Sequence, residues 1–259
     1  MTHSTRWIGI GRTHIGCVRS SNQDTYGVLN DQGVWFVADG MGGHAGGDIA
    51  AQIAVAVAIS ETKERAALLR DQPDQAPTML ADIITRANQA IHDKVRHEPH
   101  LKGMGTTIAA LAIPPSPTPI AHVAHLGDSR AYLYRDRSLT QLTRDHTLVE
   151  QLVKRGLLDV ESARTYPERH VLTKALGMGI GVKPELTSCP LRPDDILLLC
   201  TDGLNKMLDD PAIAVVLADC YGDPDRASYE LITRAVERGG EDNVTVIVCA
   251  PVTSVLSPT

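Results

Sequence analysis

Apolar positions along the chain follow two patterns. Over residues 77–98, Met79, Leu80, Ile83, Ile84, Ala87, Ile91 and Val95 recur at three- and four-residue intervals, which places one apolar stripe along a helix. Residues 47–61 have the same character. The charged, Pro-containing stretch between them (Arg70-Asp-Gln-Pro-Asp-Gln75) reads as the connection of a helical hairpin. The second pattern is the short continuous apolar run, found at 35–38, 106–113, 122–126, 196–201 and 244–249 and read as strands. Two further helices are expected around 212–218 and 224–237. Several strands with a few helices predict an α+β fold. Residues 145–172 break the pattern with a short amphipathic stretch followed by charged residues, and they read as a surface excursion.

Composition narrows the function. The 259 residues are 43% hydrophobic and 22% charged, ordinary globular values, and no repeat or long linker divides them, so a single domain is expected over 1–259. Twenty-five Lys and Arg against 31 Asp and Glu give a net charge of −6, and only 3% of residues are aromatic. That argues against nucleic acid or a membrane surface as partner. No apolar leader or membrane-length run is evident, and the five Cys are scattered without a Cys-x-x-Cys. A reducing, cytoplasmic location is the expectation.

The informative polar residues are carboxylates at strand ends. Asp39 and Asp202 each close an apolar run and precede Gly, Asp128 follows a third run, and Asp242 lies just before the last. One Asp-Gly is ordinary turn chemistry. If the strands share common sheets, however, four carboxylates meet at one rim, where their repulsion calls for cations. Hard oxygen donors favour Mg²⁺ or Mn²⁺. Other patterns are weaker. Gly127-Asp-Ser-Arg-Ala131 lacks the geometry of a nucleophile elbow, which leaves Ser129 as a turn residue. Cys220 and Arg226 have thiol-phosphatase spacing, but Asp223 and Asp225 would repel phosphate and Pro224 removes a cradle N–H. His122 and His125, three apart on a strand, face opposite sides, one expected in the core and one on the surface.

Seven blocks carry a family resemblance. They are Arg19-Ser-Ser-Asn-Gln-Asp24, Val37-Ala-Asp-Gly-Met-Gly-Gly-His-Ala-Gly-Gly47, Gly105-Thr-Thr107, His125-Leu-Gly-Asp-Ser-Arg130, Leu172-Thr-Lys-Ala-Leu-Gly177, Leu199-Cys-Thr-Asp-Gly-Leu204 and Glu241-Asp-Asn-Val244. In this order across nearly the whole chain they resemble the metal-dependent Ser/Thr protein phosphatases, the protein phosphatase 2C family, in their compact bacterial form. The resemblance implies two packed antiparallel β-sheets with helices on both outer faces, a four-layer αββα sandwich. It also implies a binuclear Mn²⁺ or Mg²⁺ centre, with Asp39 bridging both ions, the Gly40 carbonyl on one, and Asp202 with Asp242 on the other. Asp24 would act through water, and Asp128 with Asp202 would form a third metal site. Arg19 would hold the substrate phosphate while a bridging hydroxide attacks phosphorus directly.

The implied substrates are Ser/Thr-phosphorylated proteins, with a cognate bacterial kinase as a plausible partner and a monomer as the expected state. Residues 145–170 fall where the family carries its flap. Many relatives read Asp-Gly-His where this chain has Asp39-Gly40-Met41, and Met41 donates no proton. His44 is near in sequence and bound water is an alternative donor, so no general acid is assigned. A non-catalytic phosphopeptide binder would be expected to lack some of the carboxylates, and none is missing. A two-metal nuclease conflicts with the acidic balance.

Overall fold

The computed structural model describes residues 6–41 and 46–252. In chain order its strands and helices are β1 (Arg6–His14), β2 (Asp24–Leu29), β3 (Val34–Met41), α1 (Gly47–Glu64), α2 (Ala66–Asp71), α3 (Ala76–His97), β4 (Gly105–Thr106), β5 (Ile108–Ala112), β6 (Ile120–Leu126), β7 (Arg130–Arg135) and β8 (Ser138–Gln141). After these come α4 (Leu148–Lys154), α5 (Val160–Thr165), β9 (Glu185–Pro190), β10 (Ile196–Cys200), α6 (Asp202–Met207), α7 (Asp210–Asp219), α8 (Pro224–Glu237) and β11 (Val244–Val252). One sheet has the order β1-β11-β10-β7-β8. The other has the order β2-β3-β5-β6-β9, with β4 pairing to the end of β3. Every strand pairing is antiparallel.

Three apolar clusters separate four layers, which is the expected sandwich. Trp35 and Val37 of β3, Leu197 and Leu199 of β10, and Ile247 and Cys249 of β11 pack between the sheets. The alternate residues Val34, Phe36 and Ala38 face α1 and α3, while Leu198, Cys200 and Val248 face α6, α7 and α8. Central strands are therefore buried on both faces, and this is why they read as unbroken apolar runs rather than alternating ones. Ala50, Ala51, Ala54 and Ala58 make the inner face of α1 flat enough to lie close on the sheet. Gly9 of β1 is required by the close crossing of the sheets, because a Cβ there would lie 2.2 Å from Nε1 of Trp35.

The structure also departs from the sequence pattern. The 61–77 connection contains the short helix α2 and a 3-10 turn at Pro73–Gln75. The apolar run at 106–113 is two strands, β4 and β5, on either side of Thr107. Asp202 and Gly203, expected to close a strand with a turn, open the helix α6. The surface excursion carries α4 and α5, whose N-caps Thr147 and Asp159 accept hydrogen bonds from the backbone N–H groups of Glu150 and Ser162. No helix among the described residues is long and apolar enough to cross a membrane.

Candidate metal centre

The carboxylates converge at one end of the sandwich because strands of both sheets end there. Asp24 opens β2 and pairs in register with Asp39 near the end of β3. Asp128 follows β6. From the other sheet, Asp202 begins α6 directly after β10, and Asp242 precedes β11. Backbone contacts fix Asp39: its N–H donates to Oγ1 of Thr107 (2.9 Å), and its carbonyl accepts from the Thr107 N–H and the Thr106 hydroxyl, both 2.9 Å. Gly40 has no room for a side chain, since a Cβ would lie 2.1 Å from the Gly47 carbonyl at the start of α1.

The electrostatics follow from crowding like charges in a poorly solvated place. Burial first, and then the charges of Asp24, Asp202 and Asp128, push the Asp39 carboxyl well above the usual carboxylate range. Burial and the Asp202 charge raise Asp128 to about 8. Asp24 lies beneath the cleft, and burial raises it to about 7 despite hydrogen bonds that its Oδ2 accepts from Thr245 (2.7 Å) and Thr201 (2.8 Å). Burial acts in the same sense on Asp242, but the Lys206 ammonium and the Arg19 guanidinium outweigh it and hold that carboxyl below its ordinary value. Oδ1 of Asp24 and Oδ1 of Asp202 are buried without a hydrogen-bond partner among the described residues. All-oxygen donors, mutual repulsion and two buried, unsatisfied carboxylate oxygens fit a hard divalent cation.

Two basic side chains share Asp242. Arg19 donates from Nε to Oδ1 and from a terminal nitrogen to Oδ2, each at 2.8 Å, while Lys206 reaches Oδ2 at 2.7 Å. The cleft containing Asp39, Gly40, Asp128, Asp202 and Asp242 is also lined by Met41, His170, Lys206 and Asn243. It continues into a groove of about 670 Å³ bordered by Arg164, Arg169 and His170 of the excursion. His44 lies outside the described residues.

The discounted nucleophiles take structural positions. The Ser129 hydroxyl is 2.6 Å from that of Thr107, beneath Asp39. Cys220 is buried at the end of α7, where burial raises its thiol above the ordinary value. His122 and His125 are both buried, correcting the expectation that one lies at the surface: Nδ1 of His122 is 2.8 Å from the Ser188 hydroxyl. His125 lies parallel to His146, ring centroids 4.7 Å apart with 3° between planes. Each imidazole lone pair lies in its own ring plane, so the stacked rings do not aim at one shared ion.

Residues 10–229 match the family described as Protein phosphatase 2C. The chain belongs to the protein phosphatase 2C family. It is 38% identical over 239 residues to the serine/threonine phosphatase stp of Listeria welshimeri, a match spanning 91% of this chain and 92% of that protein. The crystal structure of the serine/threonine phosphatase Stp1 from Staphylococcus aureus superimposes with a TM-score of 0.84 at 31% identity, covering 96% of this chain and 97% of that one. A crystal structure of the PstP catalytic domain in complex with two manganese ions gives a TM-score of 0.81 at 34% identity, covering 96% and 100%.

In this protein phosphatase 2C chain, two site residues escape sequence reasoning. Asn243 accepts the Gln23 N–H (2.8 Å) and donates to the carbonyls of Ile15 (2.8 Å) and Ser21 (3.0 Å), pinning the loop that carries Arg19. Its place in the Glu241-Asp-Asn-Val244 block was the available signal. Lys206 had none, because its position depends on α6, which the Asp-Gly pair concealed.

Proposed function

We propose that the chain hydrolyses phosphoserine and phosphothreonine monoesters in proteins, using Mn²⁺ or Mg²⁺ held by Asp39, the Gly40 carbonyl, Asp202 and Asp242. Asp24 supports this set from beneath through water, and Asp128 with Asp202 offers a third cation site. The observation that carries the reading is the meeting of Asp24, Asp39 and Asp128 from one sheet with Asp202 and Asp242 from the other, with buried carboxylate oxygens left unpaired. Bound divalent cations make water acidic enough to attack phosphorus near neutral pH and offset the charge of the phosphate.

The protein's own part is positioning. Asp39 is held through its backbone by Thr106 and Thr107 and shares the face of β3 on which Trp35 and Val37 pack between the two sheets. Arg19 grips Asp242 with two parallel N–H donors, the fork that also suits two oxygens of a phosphate. Its loop is pinned by Asn243, but the side chain is half exposed, which leaves the guanidinium room to turn from one to the other. Met41 offers no proton to the departing alkoxide, so that role stays with water or another group.

The chain reads as one catalytic domain, with 145–170 as a flap whose side of the groove meets the phosphoprotein. A cytoplasmic, monomeric enzyme opposing a Ser/Thr kinase is the setting that fits this chemistry. Incubation with a phosphothreonine peptide and with single-stranded DNA, each with Mn²⁺, tests the proposal. Phosphate release from the peptide alone is expected, abolished by excess EDTA. Full activity after verified metal removal overturns it.

A further inference from the structure

Lys206 lies on α6 four residues after Asp202, so one helical turn brings its side chain back over that carboxylate. Its Nζ is 2.7 Å from Oδ2 of Asp202 and 2.7 Å from Oδ2 of Asp242, and the side chain is only 23% exposed. The ammonium thus bridges two carboxylates from two different segments, both assigned above to one divalent ion. An ammonium has three donors and no lone pair, so it competes with a metal for oxygens and cannot join it as a ligand. Placing Mg²⁺ or Mn²⁺ on the same carboxylates while Lys206 stays would bring charges of +2 and +1 to within a few ångströms in a poorly solvated site, where Coulomb repulsion is large.

We propose that Lys206 is a resident counter-cation that competes with the divalent ion for Asp202 and Asp242 and must swing into the cleft when the ion binds. The inference rests on the assignment of those two aspartates as metal ligands. Before the ion arrives, the ammonium offsets the repulsion between the two carboxylates and keeps them converged. Afterwards it is released into the groove it already borders. Arg19 does not serve the same purpose: it touches Asp242 and not Asp202, and its side chain is 52% exposed. A plain structural ion pair and a competing one differ in sign. Removing the former weakens the protein with or without metal and leaves metal affinity alone, whereas removing the latter weakens only the metal-free protein and tightens metal binding.

The test is calorimetric titration of Mn²⁺ into the full chain, with melting curves in EDTA and at saturating Mn²⁺, for wild type, Lys206→Met and Lys206→Arg. Lys206→Met is expected to bind Mn²⁺ about tenfold more tightly, to melt lower than wild type in EDTA, and to match it when loaded; Lys206→Arg, still charged, is expected to stay near wild-type affinity. Unchanged or weaker binding by Lys206→Met overturns the proposal. A second measurement needs no variant: acetylation of wild-type Lys206 by acetic anhydride, read by peptide mass spectrometry, is expected to be several-fold faster at saturating Mg²⁺ than in EDTA, and equal or slower labelling overturns it too. A wild-type chain that binds no Mn²⁺ at all would instead remove the metal reading on which the proposal stands.

Discussion

Asp39 is the carboxylate whose loss is expected to cost most, because the proposed arrangement gives it to both cations. Asp39→Asn is expected to lower phosphopeptide turnover by more than the roughly 10²–10³-fold typical of losing one electrostatic donor, with weaker Mn²⁺ binding in calorimetry. A variant within tenfold of wild type would take Asp39 out of the bridging role. Arg19→Ala is expected to raise KM for a phosphopeptide while Mn²⁺ still binds; loss of metal in the same titration would reassign the residue. At this scale the sequence was readable where a charge interrupted an apolar run, as at Asp39, Asp128 and Asp202. Asp24 follows no such run and was found only through its motif. Asn243 and Lys206 act through partners distant in the chain, which left Asn243 only its place in its motif block as a signal and Lys206 none: Asn243 holds Ile15 and Ser21, and Lys206 holds Asp242.

Among the elements, β3, β5, β6, β10 and β11 were legible because burial on both faces writes them as apolar runs. β1 and β2 were not, since Gly9, Gly11 and Gly27 replace side chains where other elements crowd in. Gly9→Ala is expected to lower stability by about 1–3 kcal/mol through overpacking against Trp35, as measured by urea denaturation; an unchanged midpoint would mean that the sheets part easily there. The link from β6 to the excursion offers a pH test. Burial and the neighbouring His125 hold the His146 imidazole down to about 4, against an ordinary value of 6.5. Between those values the unfolded chain binds more protons, so stability rises with pH across the window and is lost as pH falls through it. His146→Asn removes that titration, and its unfolding free energy is expected to fall less steeply than wild type from pH 6.5 to pH 4. Parallel curves would show that His146 does not carry the slope.

For the whole molecule, the order of the seven blocks revealed the family, while the assembly of the sheets needed the pairing of β1 with β11 from opposite ends of the chain, which no local pattern encodes. Asp24, Asp39 and Asp128 are each pushed upward, by burial first and by the charge of neighbouring carboxylates second, a cost that bound cations would relieve. Adding Mn²⁺ at about a hundred times its dissociation constant is therefore expected to raise the melting temperature by on the order of 5–10 °C relative to EDTA, and a shift near zero would mean that the carboxylates do not hold the ion. The apolar filling between the sheets has a second office. Trp35, Leu199 and Ile247 set how far apart the sheets stand, and Asp39 rides on one sheet while Asp202 and Asp242 ride on the other. That filling is a calliper for the oxygen cage: Leu199→Ala, which touches no ligand, is expected to shift the preference between Mg²⁺, with its 2.0–2.1 Å bonds, and the larger Ca²⁺, with bonds of 2.3–2.6 Å. A changed preference would mean that ion choice in this chain is written partly in apolar side chains that never meet the ion, and an unchanged one that the carboxylates set it alone.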